Sequence, residues 1–222
     1  MRRSRTRIEA TELTQVEQPL LQQLDALDWN ILIADQEDEN PTQTGRSSFK
    51  DVILSDILID RIIQINDPDH YPSYVEGEYA GWIGEPQLNQ IINEIESIPI
   101  HDLIEANLIG TEMLRDGIHI KGDDDIKGGS YEDVKLIDYD TLENNHFLAV
   151  SQLKVAPLWC DGVRGHIFPD IVLFVNGIPL VVIECKGRGI QQPMFSGIDQ
   201  LHRYQNIRGS ERPEGAPQLF TF

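Results

Sequence analysis

The chain has 222 residues, 40% apolar and 25% charged, the balance of a soluble globular fold built as one domain or two small ones. Its net charge of −19 is uneven: residues 1–150 carry 11 Lys/Arg against 31 Asp/Glu (−20), and residues 151–222 carry 7 against 6 (+1). General attraction to a polyanion is therefore excluded for the first two thirds, and a nucleic-acid contact would be confined to the last third or supplied by a basic partner.

No apolar run approaches the roughly 20 residues that span a bilayer. The start, MRRSRTRIEATELTQ, has no apolar stretch and is not a secretory signal. Two cysteines, Cys160 and Cys185, without CxxC spacing argue for a reducing cytoplasm and against a disulfide scaffold or a zinc site.

In chain order, Leu13, Val16, Leu20, Leu24 and Leu27 are spaced by three or four and predict an amphipathic helix over 12–28. Pro19 is tolerated only near a first turn, so the regular helix should start around Thr14 to Gln18. DQEDENPTQTGRSS reads as a polar loop and DVILSDILIDRIIQIN as a helix, while the Pro and Gly residues of 66–87 predict irregular chain. Helices follow near Gln87–Ile95 and Asp102–Arg115, then an exposed loop, KGDDDIKGGSYED. From about 134 the period shortens: VKLIDYD and HFLAVSQLKVA alternate as strands do. Two apolar runs, Ile171–Val175 and Leu180–Ile183, flank Asn176-Gly177 as a hairpin. Ser196–Arg208 reads as a helix with Ser196 as N-cap and Gly209 past its end. PQLFTF reads as the start of a strand, which points to a protein that continues. These elements describe an α/β or α+β fold around a mixed sheet.

The hairpin PDIVLFVNGIPLVVIECKGRG carries Asp170 at one strand's start and Glu184 and Lys186 at the other's end. A two-residue turn opposes Asp170 to Ile183 and sends Glu184 to the other face; a three-residue loop centred on Gly177 opposes Asp170 to Glu184. Opposed carboxylates, with Cβ atoms about 5 Å apart, repel each other, and a divalent cation such as Mg²⁺ resolves the conflict. Convergence of the charges predicts an odd loop or a bulge. Lys186 then shares Glu184's face, and Cys185 points into the core with only its carbonyl available to a metal. Strand-end charges that merely reach solvent, with Lys186 paired to Glu184, are the ordinary alternative.

Pro169-Asp170 with Glu184-Cys185-Lys186 resembles the PD-(D/E)XK nuclease superfamily, and the fuller string resembles the N-terminal nuclease domain of the restriction (R) subunit of type I restriction-modification enzymes. VEQPLLQQLDALDWN, LIEANLIGTEMLRDGIHI and NNHFLAVSQLKV resemble that family's opening helix and the segments before its hairpin. QLHRY, Gln200 to Tyr204, is similar to the QxxxY motif of RecB-like nucleases. The resemblance covers about residues 12–222 and is weakest over 30–90. One departure is Phe168, where the family often has a basic residue; Arg164 lies four residues upstream of Phe168 as a substitute.

The resemblance implies a restriction-endonuclease-like fold in a single nuclease domain, 1–222. Its catalytic core would be residues 12–28 and 134–222, and a helical insertion would occupy 30–130. It implies a Mg²⁺-dependent endodeoxyribonuclease that cuts without reading sequence and works with DNA and with methyltransferase and specificity subunits. ATP would serve only a motor absent from this chain, since no GxxxxGK[ST] loop occurs. Asp170 and Glu184 would hold the metal and Lys186 would act on the attacking water or the phosphate.

Gln200 and Tyr204, four apart, share a helix face. By the resemblance they touch DNA or the active site; otherwise Tyr204 packs on the sheet and Gln200 meets solvent. Glu17 is either a carboxylate near the metal or the partner of Thr14 in a capping box. Gln152 either faces the site or is an ordinary strand residue. Asp123, Asp124 and Asp125 do not match a calcium loop and read as solvated; His166 has no identifiable partner. A different RecB-like nuclease of repair or defence, and an inactive docking module of the same fold, remain compatible with these residues.

Overall fold

The computed structural model describes residues 12–99, 102–157, 165–187, 189–207 and 215–220. Cys160, Arg164, Gly209 and the last two residues of PQLFTF lie outside them. The described chain divides into two compact units. The first draws on residues up to Ile53, Phe147–Phe174 and Pro179–Phe220; the second comprises Leu54–His146 and the hairpin tip Val175–Ile178.

The first unit opens with one π-helical turn, Leu13–Glu17, which runs into helix α1, Gln18–Asp25. Pro19 is the second residue of α1, directly after the π turn, so the chain is already helical before it. Strand β1, Asn30–Ile33, follows and is an element that the periodicity did not announce. The polar segment after it contains a single 3-10 turn, Pro41–Thr44.

In the second unit, α2 (Ser55–Asn66), α3 (Tyr71–Val75), α4 (Glu85–Glu96) and α5 (Leu103–Asp116) alternate with turns. The short α3 falls inside the stretch expected to be irregular. Asp102 caps α5, its carboxylate accepting from Ile104 N and Glu105 N at 3.1 Å each. Strands β2 (Ile118–Lys121) and β3 (Tyr131–Val134) pair antiparallel. The acidic loop between them is self-contained: Asp123 Oδ1 accepts from Asp125 N and Ile126 N, and Lys121 pairs with Asp124.

VKLIDYD is a strand only at Val134. Beyond it, Lys135 N donates to Asn66 Oδ1 and Asp138 N to Asn145 Oδ1, so side chains take the backbone groups that a ladder would use. Leu136 and Ile137 are nevertheless buried.

The central sheet has order β1-β4-β5-β6, with β4 at Phe147–Ser151, β5 at Ile171–Val175 and β6 at Ile178–Ile183. β1 runs parallel to β4, with Asn30 opposite Leu148 and Ile33 opposite Ser151. β4 and β5 run antiparallel, as the bonds Asn176 N to His146 O and Gln152 N to Asp170 O require. The sheet is therefore mixed, as expected. Its β5 is buried at four of five positions because it has a strand on each side.

The hairpin turn corrects the expectation of an odd loop. Asn176 (φ +52°) and Gly177 (φ +80°) both lie in the left-handed region directly between the strands, which is a two-residue turn of type I′. A core cluster formed around Leu21, Leu24, Ala149, Ile171 and Cys185 also takes in Leu173 and Ile183. Ile183 ends β6 and Cys185 lies beyond it, where the alternation set by the turn no longer holds the chain.

The last helix, α6, spans Pro193–Tyr204. It begins three residues before Ser196, because Pro193 suits the first helical position; Ser196 N already donates to Gln192 O. The described part of PQLFTF is not a strand: Pro217–Phe220 forms a 3-10 turn that buries Leu219. Among the described residues no helix is long and apolar enough to cross a membrane.

Candidate active site

The site lies in the first unit, where β4 and β6 end, β5 begins and the π turn meets α1. Asp170 occupies the bend just before β5 and follows Pro169. Its Oδ2 accepts from Cys185 N at 2.6 Å and its Oδ1 from Gln152 Nε2 at 3.2 Å. Glu184 and Lys186 lie past the last ladder residue of β6. Strand parity no longer governs their side chains there.

Glu184 is the most enclosed charge of the group, its side chain 2% exposed. Oε1 accepts from Lys186 Nζ at 2.6 Å, while buried Oε2 finds no donor among the described residues. Burial, with the neighbouring charge of Asp170, pushes this carboxyl up to about 7, against the opposing pull of Lys186. Lys186, 12% exposed, also donates to Cys185 O at 3.0 Å. The Cys185 side chain points into the core as expected, and burial raises its thiol to about 12.

Glu17 corrects the capping-box expectation. It is 3% exposed and caps nothing. Its Oε1 accepts a short hydrogen bond from Ser151 Oγ, and its Oε2 accepts from Gln152 Nε2 at 3.2 Å. Burial and the charge of Asp170 raise its carboxyl. The π turn that ends on Glu17 helps aim it inward, a frequent use of such turns. Gln152 lies one residue beyond β4 rather than on it, with φ +58°, and this left-handed backbone directs its amide to both carboxylates.

On α6, Gln200 Nε2 donates to Tyr204 Oη at 2.6 Å, and Tyr204 Oη donates to Phe168 O at 3.3 Å. Tyr204 is 1% exposed, and burial with the charge of Glu184 pushes its phenol up to about 12. The two readings of QLHRY thus merge, since Tyr204 packs in the interior within electrostatic reach of Glu184. Gly197, buried on the same helix, faces Lys186, and a Cβ there would stand in ordinary contact with Lys186 Cγ at 3.6 Å. His166 packs edge-on to Phe49, with ring centroids 5.3 Å apart.

Three contributors escaped the sequence reading. Ser151 pins Glu17, Gln36 Nε2 donates to Gln152 Oε1 at 2.6 Å, and Glu12 Oε1 accepts from Gly187 N at 2.8 Å. The first two bonds join residues 134 and 116 positions apart, beyond the range of any local pattern.

Among the described residues no three of the His, Cys, Asp and Glu side chains form a metal-holding group. What remains is a two-carboxylate set, Asp170 and Glu184, with the Cys185 carbonyl beside them. That set suits a hard divalent cation that keeps several waters, and the donorless Glu184 Oε2 is an oxygen such a cation would satisfy.

A mixed α/β domain with a carboxylate–lysine cluster at the end of its sheet is the class of protein that the fold and site define. Residues 9–222 match the model of the type I restriction enzyme R protein N terminus, and the chain belongs to that family. It is 32% identical over 176 residues to a Methanocaldococcus jannaschii protein named for a type I restriction enzyme endonuclease subunit, MjaVIIIP. It is 27% identical over 196 residues to the type I restriction enzyme HindI endonuclease subunit of Haemophilus influenzae. These alignments take in 79% and 86% of this chain but only 14% and 16% of the two relatives.

Proposed function

We propose that this chain is the nuclease domain of a type I restriction R subunit, a Mg²⁺-dependent endodeoxyribonuclease with the PD-(D/E)XK fold that cuts DNA without reading sequence. The observation that carries this reading is the buried Glu184, one oxygen without a donor, set beside Asp170 and Lys186 at the end of the sheet. Three further carboxylate and amide contacts, through Glu17 and Gln152, extend the cluster without crowding that oxygen. An inactive docking module has no use for a charge buried at such cost.

Asp170 and Glu184 would hold the cation, with the Cys185 carbonyl and water completing its shell. When bound, the cation supplies Lewis acidity toward the scissile phosphate and lowers the pKa of a water ligand. Lys186 gives up its bond to Cys185 O and directs its ammonium at the attacking water or at a phosphoryl oxygen, where charge grows in the transition state. Tyr204 and Gln200 support the wall behind Glu184. DNA delivery, ATP use and association with methyltransferase and specificity subunits belong, in this reading, to the whole cytoplasmic complex.

The test uses the full-length protein with its partner subunits, Mg²⁺ and ATP, wild type against Asp170→Ala. Cleavage should fall by about 100-fold or more, with ATP hydrolysis retained. Cleavage by the variant at the normal rate would refute the assignment.

A further inference from the structure

The Gln152 amide is fixed on three sides. Its Nε2 donates to Glu17 Oε2 and Asp170 Oδ1, 3.2 Å each, and its Oε1 accepts from Gln36 Nε2 at 2.6 Å. Both N–H groups are therefore used on carboxylates and the oxygen is turned away from them. The reverse orientation would set Oε1 against two carboxylate oxygens and Nε2 against a second amide nitrogen, losing all three bonds. The two carboxylates thus set the sense of the amide, and Gln36 holds its oxygen.

Gln36 is exposed, but its backbone is braced. Lys154 Nζ donates to Gln36 O at 3.2 Å and to Asp38 O at 2.8 Å, and the same ammonium lies 4.7 Å from the centroid of Phe49. Asp35 N donates to Gln43 Oε1, and Glu37 N to Asp35 Oδ1, closing the turn around it. The bracing ends on an amide that touches the buried carboxylate of Glu17 and the partly buried one of Asp170.

From this chain of contacts we infer that Gln36 is a positioning residue for the cation site. Through Gln152 it holds the Glu17 and Asp170 oxygens together, so that a divalent cation meets a preorganised cluster. The inference rests on the cation reading given above. Without the bridging amide the two carboxylates repel and separate, and regathering them is subtracted from cation affinity, as with other outer partners of metal sites.

Mn²⁺ alone serves as the probe, titrated calorimetrically into the 222-residue chain as wild type, Gln36→Met, Gln152→Met, the double variant and Asp170→Ala. Gln152→Met should weaken binding by about tenfold and Gln36→Met by about threefold to tenfold. The double variant should bind no more weakly than Gln152→Met, because Gln36 acts only through that side chain. A second readout needs no cation. The ¹H–¹⁵N signals of the Gln152 side-chain amide should exchange faster with solvent in Gln36→Met at an unchanged melting temperature. Wild-type affinity in Gln36→Met, or additive losses in the double variant, overturns the inference and leaves the cation site standing. Wild type and Asp170→Ala alike taking up no Mn²⁺ overturns both.

Discussion

Burying Glu184 sets a conflict that pH exposes. Its carboxyl, ordinarily near 4.5, is pushed up to about 7 in the fold, first by loss of hydration and then by the charge of Asp170. Below pH 4.5 the group is protonated in both folded and unfolded chains, and its contribution to stability is complete. As pH rises from 4.5 through 7 the unfolded chain ionises first, so stability falls, and above 7 the loss is fully in place. Glu17, raised by the same causes, acts with the same sign. In the absence of divalent cations the chain should lose on the order of a few kcal/mol between pH 5 and pH 8 from Glu184. Glu184→Gln carries no charge to bury and should flatten that part of the profile, so the variant overtakes wild type at alkaline pH. Urea unfolding across the range measures the difference, and an equal gap at pH 5 and pH 8 would sink the idea. Mg²⁺ should restore wild type at pH 8 by binding the ionised form, and should do little for the variant.

At the scale of elements, the hairpin tip carries the second prediction. Gly177 has φ +80°, and a Cβ there would lie 2.5 Å from Leu54 O, whose residue donates N–H to Gly177 O at 2.9 Å. Gly177→Ala therefore meets backbone strain and a backbone clash together, and should cost about 2–4 kcal/mol of unfolding free energy by urea denaturation. Asn176 is buried beside it, donating to Leu136 O and Asn145 Oδ1 at 2.8 Å and accepting from His146 N at 2.7 Å. Asn176→Ala should cost about 3 kcal/mol, since it takes a bond from Leu136 O, from His146 N and from Asn145 Oδ1, which keeps only its bond from Asp138 N. A loss below 1 kcal/mol in either variant would show that the tip relaxes around them. This tip also marks the limit of what the sequence disclosed. The amphipathic spacing of residues 12–28, 55–66, 87–95 and 102–115 was sufficient to find their helices, because burial of one face is a local pattern. Asn-Gly announced a two-residue turn, and the turn is one. The reasoning that set it aside failed because Glu184 and Lys186 lie past the last residue of β6, where strand parity does not fix the side of a side chain. β1 and the turn at 217–220 were missed for a related reason: four residues are too few for a period, and neighbouring chain decides their state. At the site, Asp170, Glu184, Lys186, Gln200 and Tyr204 stood out through the motifs, whereas Ser151 and Gln36 act through bonds that only the tertiary fold creates.

For the molecule as a whole the charge distribution constrains how a substrate reaches this site. With −19 overall and −20 over residues 1–150, the chain repels a duplex at long range, and residues 151–222 offset nothing with their +1. DNA affinity generally comes from neutralising phosphates with Lys and Arg, and each such contact adds to the salt dependence. The site itself contributes one half-buried ammonium, Lys186, already committed to Glu184 and Cys185. A domain so charged can act on DNA only if something else holds the duplex against it, which agrees with a chain that spans 14% and 16% of the relatives it matches. The 222-residue chain alone should therefore bind a fluorescent duplex no more tightly than about 10⁻⁴ M at physiological salt, the weak edge of non-specific binding, with a salt slope near zero. Mg²⁺ should improve this slightly by offsetting Asp170 and Glu184, and Asp170→Ala should remove the improvement. Anisotropy titrations at several salt concentrations measure both quantities. Submicromolar binding with a slope of several units would mean that a basic surface exists on this chain and that the duplex needs no partner to bring it to the carboxylates.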